Sequence, residues 1–198
     1  MLKGGTYVAM GDSWTWAVNT TTVKGSHYYA TKLRDAIRKD YGACRLINKG
    51  IGGMEAVEMV KNLPWLNDLE PDLVTIGVGI NDCANDIQGT TNYKNNLRIL
   101  IDTIRLKNPN VIIILCTPGR TTDPIRTPYV QSYRDAMVSV ATEKGLPVCH
   151  FEDAWTDDTA NLESDKIHPN TAGQTALFNQ LYPVVKGNAS GWLESLEK

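Results

Sequence analysis

The sequence predicts an α/β fold, a three-layer α/β/α sandwich around a five-stranded parallel sheet. Three observations predict it. Short, nearly all-apolar runs such as Leu73 to Val78 and Val111 to Leu115 have the composition of strands buried on both faces. Between such runs stand segments of helical period, apolar at i, i+3, i+4 and i+7. The alternation continues along the chain without a repeat or a low-complexity linker, the order of successive parallel strand and crossover-helix units.

Each element has a reason in the residues. Thr6 to Met10 reads as the first strand and is followed by a polar loop. A helix is expected from about Ser26 to Tyr41, with Tyr29, Leu33 and Ile37 on one face and Gly42 suited to its end. Arg45 to Asn48 is a short second strand, and Glu55 to Leu63 a helix stopped near Pro64. Leu73 to Val78 is the third strand, and Leu97, Leu100, Ile101 and Ile104 form the stripe of the helix that leads to the fourth, Val111 to Leu115. A helix from about Tyr129 to Lys144 turns Tyr133, Met137, Val140 and Ala141 inward. Leu146 to Phe151 is the fifth strand, and Thr171 to Val185 the last helix, with Leu177, Leu181, Val184 and Val185 facing the core.

Size and charge bound what this scaffold does. The 198 residues with 42% hydrophobic content suit one domain over 1–198, with a motif-bearing core over about 6–185 and a tail over 186–198. Such a domain buries roughly 70% of its surface on folding. A net charge of −2 provides no basic field for a phosphate backbone, which argues against nucleic acid as a partner. The start, Met1-Leu2-Lys3-Gly4-Gly5, lacks the apolar core of an export signal, and nowhere do about 18 uninterrupted apolar residues occur. A soluble protein is expected, cytoplasmic or a mature secreted form lacking its signal peptide. Cys44, Cys83, Cys116 and Cys149 are too dispersed for a C-x-x-C metal pattern or a dense disulfide scaffold, so free thiols are expected. The sequons at Asn19 and Asn188 matter only in a glycosylating secretory pathway.

Open parallel sheets bind ligands beyond the carboxyl ends of their strands. Ser13 follows the first predicted strand, Gly53 the second, Asn81 the third, and Asp165 with His168 the fifth, so all five fall on one edge. A serine hydroxyl is a weak nucleophile until a base removes its proton. His168 supplies that base if a carboxylate holds its other ring nitrogen, and Asp165, three residues earlier, is near enough to do so. As an ester carbonyl becomes tetrahedral its oxygen gains charge, and preorganised N–H groups must meet it. The backbone N–H groups of Ser13 and Gly53 and the side-chain amide of Asn81 are the candidates for that oxyanion hole, each worth on the order of 3 kcal/mol if well aimed.

These residues resemble the GDSL, or SGNH, hydrolase superfamily. Its four blocks stand here as Gly11-Asp12-Ser13, Asn48-Lys49-Gly50-Ile51-Gly52-Gly53, Gly79-Ile80-Asn81-Asp82 and Asp165-Lys166-Ile167-His168, followed by Pro169-Asn170 and Gly173. The resemblance implies a flavodoxin-like sandwich and hydrolysis of carboxylic esters through an acyl-enzyme, with no metal and no organic cofactor. It carries the nucleophile onto Ser13, the triad onto Ser13, Asp165 and His168, and the oxyanion hole onto Ser13, Gly53 and Asn81. Two departures stand out. Relatives commonly follow the serine with Leu or Ile and a nearby glycine, whereas this chain reads Trp14-Thr15-Trp16-Ala17; Cys83-Ala84-Asn85-Asp86 after the third block is individual as well.

Taken singly, each block has a plain structural reading: Gly-Asp-Ser as a turn, Asp-x-x-His-Pro as a helix entry. Their conjunction in order argues for a site. Asp12 reads as a structural hydrogen-bonder of its turn, His27 and His150 as satisfied structural residues at a helix start and within a strand, and Asp153, Asp157 and Asp158 as a solvated loop. Gly50 to Gly53 lacks the G-x-G-x-x-G spacing of a dinucleotide site. Trp14 and Trp16 are candidates either to line the substrate pocket or to pack, while Trp65, Trp155 and Trp192 read as packing residues. Connections this short leave no room for a long-chain lipase lid. A small-molecule or glycan ester is therefore the expected substrate, with a short acyl group, acetyl above all, on a carbohydrate or similar polar alcohol. A lysophospholipase or thioesterase, an acyl transferase to an alcohol, and a non-catalytic glycan-binding protein on the same fold are the alternatives.

Overall fold

The computed structural model describes residues 4–16, 25–64, 69–84 and 89–196. Ala17, the Asn19 sequon, Trp65 and the Asn85-Asp86 pair lie outside the described residues. The strands are β1 (Gly5–Gly11), β2 (Cys44–Gly50), β3 (Leu73–Gly77), β4 (Ile112–Cys116) and β5 (Val148–Cys149). The helices are α1 (Tyr29–Asp40), α2 (Ala56–Lys61), α3 (Gly89–Lys107), α4 (Val130–Lys144), α5 (Asp158–Asn161), α6 (Thr171–Asn188) and α7 (Ser190–Glu194).

All five strands are parallel, in the order β2-β1-β3-β4-β5. α1 packs on α6, and α3 packs between α2 and α4, giving helices on both faces. The apolar stripes account for this. Leu33 and Ile37 of α1, Leu97, Leu100, Ile101 and Ile104 of α3, Met137 and Val140 of α4, and Leu177, Leu181 and Val185 of α6 are fully buried against the strands. The two polar side chains that the sheet buries at its centre satisfy each other: Tyr7 Oη lies 2.9 Å from Thr75 Oγ1.

The register places Gly11, Gly50, Gly77, Cys116 and Cys149 in one row at the carboxyl edge. Two of the glycines there answer a close approach. A Cβ on Gly11 would stand 2.0 Å from Thr15 Oγ1, and one on Gly50 2.6 Å from the Trp16 nitrogen, because the turn after β1 folds back over the edge.

Four elements depart from the sequence expectation. The helix expected from Ser26 starts at Tyr29, after a single 3₁₀ turn over Gly25–His27. β2 runs to Gly50 because it pairs with β1 along its whole length. β5 shrinks to two residues, since Thr117 Oγ1 takes the Phe151 N–H at 2.9 Å and the Phe151 ring turns edge-on to Tyr29 at 5.3 Å. His150 therefore lies past the strand, not inside it, with Nδ1 3.1 Å from Glu152 Oε1. His27 Nδ1 is buried without a hydrogen-bond partner among the described residues, so this histidine is not satisfied as expected. The last helix continues to Asn188, and α7 then returns Leu193 and Leu196 to the core.

The acidic run is also more ordered than a solvated loop. Asp157 caps α5 by accepting from the Thr159 and Ala160 nitrogens, and Asp158 takes a two-pronged ion pair from Arg120 at 2.7 and 3.0 Å and the Trp155 indole N–H at 2.9 Å. All four cysteines are buried and free.

Candidate active site

The turn after β1 presents Ser13. Asp12 organises that turn from within: its Oδ1 accepts the Trp14 N–H at 2.9 Å, and its carbonyl accepts from Thr15 and Trp16 at 3.1 Å each. Burial pushes the Asp12 carboxyl up to about 7, against the lowering effect of the Trp14 donor. Asp12 is buried and bonded within its own turn, the placement expected of it. Asn48 at the end of β2 holds the same turn from outside, donating from Nδ2 to Thr15 O at 2.9 Å while Oδ1 takes the Gly50 N–H at 2.9 Å.

The loop between α5 and α6 brings Asp165 and His168. Lys166 is the non-glycine residue with positive φ (64°) among the described residues, a conformation that costs such a residue about 1 kcal/mol. Its carbonyl is held by the Thr122 N–H at 3.2 Å and Thr121 Oγ1 at 2.8 Å, which tie the loop to the segment after β4. The loop closes where Glu163 N donates to His168 O at 2.8 Å, and Asn170 caps α6 through the Gly173 N–H at 3.0 Å.

Within this loop Asp165 Oδ1 accepts the backbone N–H groups of Ile167 and His168 at 2.9 Å each, leaving Oδ2 to face His168 Nδ1 at 2.6 Å. Burial alone would raise the Asp165 pKa, but the His168 ring and the two backbone donors outweigh it and hold the carboxyl below its usual range. The carboxylate is thus an acceptor only, so Nδ1 carries the proton and Nε2 presents its lone pair. Nε2 lies 2.8 Å from Ser13 Oγ. A serine hydroxyl, an imidazole in the accepting tautomer and a carboxylate behind it stand in one line, across 155 residues of sequence.

The other two blocks follow β2 and β3, the strands on either side of β1. Gly53 adopts φ 78°, where a side chain would be strained, and nothing lies within 4 Å of the space a Cβ would take. Asn81 Nδ2 donates to Met54 O at 3.1 Å, which fixes the amide with one of its two N–H groups and leaves the second direction for another acceptor. Asp82 accepts the Ala56 N–H at 3.0 and 3.3 Å, so two adjacent residues of the third block are bonded to the segment that follows the second. The structure therefore brings Ser13, Asp165 and His168 into direct contact and fastens Asn81 to the Gly53 turn.

The two tryptophans divide. Trp14 is buried, stacked on Trp155 with centroids 6.0 Å apart, and its ring occupies the space a Cβ on Gly119 would need, at 2.1 Å. It borders a narrow, mostly apolar cavity under the turn with Ile80, Pro118 and Phe151. Trp16 is 42% exposed and tilts against Tyr28 at 6.4 Å. Sequence reasoning missed the clamps. Gln174 and Tyr29 both bond to the residues after Ser13, and the signal was a polar residue on the inward stripe of α6 three positions before Leu177.

The GDSL-like lipase/acylhydrolase family matches residues 9–176. Esterase TesA of Pseudomonas aeruginosa is 24% identical over 184 residues, 91% of this chain and 88% of TesA. The crystal structure of TesA superposes with a TM-score of 0.80 at 22% identity, over 92% of this chain and 98% of that one. The structure of Axe2, an acetylxylan esterase from Geobacillus stearothermophilus, gives 0.74 at 24% identity over 93% and 95%. Both structures share the fold. With the family matched over most of its length, the chain belongs to the GDSL-like lipase/acylhydrolase family and is an ester hydrolase.

Proposed function

We propose that this enzyme removes short acyl groups, acetyl above all, from a carbohydrate or a similar polar alcohol, through an acyl-enzyme on Ser13. The observation that carries the reading is the line from Asp165 through His168 to Ser13 at the carboxyl edge of the sheet. His168 Nε2 takes the Ser13 proton as Oγ attacks the ester carbonyl, and the Asp165 carboxylate stabilises the imidazolium that forms. The carbonyl oxygen becomes an oxyanion and is met by the N–H groups of Ser13 and Gly53 and the second N–H of Asn81. His168 then protonates the departing alcohol, and water, deprotonated by the same nitrogen, releases the acid from Ser13.

Two features support a small acyl group on a polar alcohol. A hollow of about 340 Å³ beside the Asp165 loop is lined by Thr122, Asp158, Thr159, Leu162, Glu163, Ser164 and Lys166, a mixed lining that includes residue types able to bond a polyol. The likeness to an acetylxylan esterase points the same way.

A second reading has its own observation. Ile51, Ile125, Tyr129 and Trp16 are exposed at 50, 59, 43 and 42% on loops along the same edge, a surface on which a longer acyl chain of a lysophospholipid or thioester would lie. Hydrolysis of p-nitrophenyl esters from acetyl to decanoyl, by wild type and Ser13→Ala, separates the readings. The proposal expects Ser13-dependent turnover with kcat/KM highest at acetyl; a maximum at eight or more carbons gives the reaction to the second reading. Equal turnover by wild type and Ser13→Ala removes Ser13 from the chemistry.

A further inference from the structure

Gln174 is completely buried, yet it is polar and lies on the face of α6 that Leu177, Leu181 and Val185 make apolar. Burying an amide is unfavourable unless both of its ends are bonded. Here both are: Oε1 accepts the Tyr29 N–H at 2.9 Å, and Nε2 donates to Trp14 O at 3.0 Å. The first bond satisfies a backbone donor of the opening turn of α1, where Tyr28 provides no side-chain cap. The second reaches the residue immediately after Ser13. Tyr29 completes the circuit, with Oη 2.8 Å from Thr15 Oγ1.

This arrangement has a consequence for the site. α6 begins at Thr171, directly after His168-Pro169-Asn170, and is capped by Asn170. The helix that anchors the base is thus bonded through one side chain to the turn that carries the nucleophile, at the carbonyl of Trp14. The Ser13 to His168 contact at 2.8 Å joins two loops that have no covalent proximity, and Gln174 ties their supports together. We infer that Gln174 is a positioning residue for this reaction, setting the distance between Ser13 Oγ and His168 Nε2 through Trp14 O and α6. The inference rests on the reading of Ser13 as the nucleophile. Misplacement of a reacting group by about 1 Å lowers a rate on the order of 10²-fold, which sets the scale of effect.

The test uses p-nitrophenyl acetate with wild type, Ser13→Ala, Gln174→Met and Gln174→Glu, each rate normalised to folded protein. Gln174→Met keeps the volume and removes both bonds; kcat is expected to fall on the order of 10²-fold with KM changed less than about threefold. Gln174→Glu is the isosteric variant. A neutral carboxyl still accepts from Tyr29 N–H and donates to Trp14 O, whereas a carboxylate presents an acceptor to that carbonyl. Its kcat, taken as a ratio to wild type at each pH so that the ionisation of His168 cancels, is expected to approach one at acidic pH and to fall as pH rises. A residue that only holds the fold together would lower thermal stability in both variants and leave kcat and this ratio unchanged, which overturns the inference. Ser13-dependent turnover with unaffected Gln174 variants removes the positioning role alone; turnover equal in wild type and Ser13→Ala removes the nucleophile and the inference with it.

Discussion

Asp165→Asn is the substitution that probes the chemistry of the line most sharply. The asparagine has the shape of the aspartate, and its carbonyl oxygen can keep the two backbone donors, Ile167 N–H and His168 N–H, that Asp165 Oδ1 holds at 2.9 Å. The amide nitrogen then occupies the place of Oδ2, facing His168 Nδ1 where the distance is now 2.6 Å. Two donors cannot share that contact, so Nδ1 must give up its proton and accept. The proton moves to Nε2, which then points an N–H at Ser13 Oγ and is no longer a base. A wrong tautomer in an otherwise intact serine, histidine and aspartate site lowers kcat about 10⁴-fold, or about 5.4 kcal/mol at about 1.36 kcal/mol per decade. The measurement is kcat for p-nitrophenyl acetate with circular dichroism to verify folding. A folded Asp165→Asn within tenfold of wild type would refute the tautomer argument, since the backbone bonds alone would then suffice to hold His168 in its working state.

Other perturbations follow from the same contacts. Asn81→Ala removes the amide fixed by Met54 O and is expected to lower kcat by about 10² to 10³-fold with little change in KM, measured by steady-state kinetics. Asp165 has a depressed pKa in the folded protein, so its stabilising contribution is present above the unfolded carboxylate pKa and lost as pH falls through the folded one; the gap in Tm between wild type and Asp165→Asn is expected to close in that acidic window. Asp12 runs the other way. Burial raises it to about 7, so its contribution is complete below the unfolded pKa near about 4 and is lost as pH rises through about 7. Asp12→Asn keeps the acceptor for Trp14 N–H without the charge and is expected to flatten the fall in Tm across that range. Gly119→Ala drives a methyl group into the Trp14 ring, at 2.1 Å, and is expected to destabilise by about 1 to 3 kcal/mol in a denaturant titration, an effect that Trp14→Leu in the same chain relieves.

The parts of the fold legible in the sequence are those set by local periodicity and by burial on both faces. The first four strands and the helices with clear stripes, α1, α3, α4 and α6, fall within a few residues of their expected places. β5 is shorter than its sequence predicts because its apolar residues have two destinations: Val148 and Cys149 pair with β4, while Phe151 leaves the sheet once Thr117 Oγ1 takes its N–H. No local pattern reports a hydrogen bond between residues 34 apart. The same limit explains Asp158, which reads as a solvated acid until Arg120 and the Trp155 indole reach it from elsewhere. The residues proposed for the chemistry were legible for the opposite reason. A nucleophile, a base and its orienting carboxylate must be particular residue types, and three of the four blocks also carry glycines where the backbone approaches closely, so chemistry and sterics restrict the same short segments.

The first loop shows how the two kinds of information combine. From sequence, Trp14-Thr15-Trp16 was a departure with open consequences, because nothing local distinguishes a ring that lines a pocket from one that packs. The structure supplies packing partners that no spacing rule connects. Trp14 packs on Trp155 in the space that Gly119 leaves free, and Thr15 turns back onto the sheet edge over Gly11, where Tyr29 Oη meets it. A bulky residue directly after Ser13 thus requires a glycine in the loop after β4, and a hydroxyl two residues after it requires glycine at the end of β1. These requirements couple the first block to positions outside every block. They also make the Ser13 turn a small rigid unit whose carbonyls point at Asn48 and Gln174. Rigidity of that kind is what a 2.8 Å contact between two distant loops needs, because the hydrogen bond to His168 Nε2 is far weaker than the sum of the bonds that hold each loop in place. The conformation of this turn is therefore a property of its surroundings, and substitutions at Gly119, Tyr29 or Gln174 should reach Ser13 while touching neither substrate nor base.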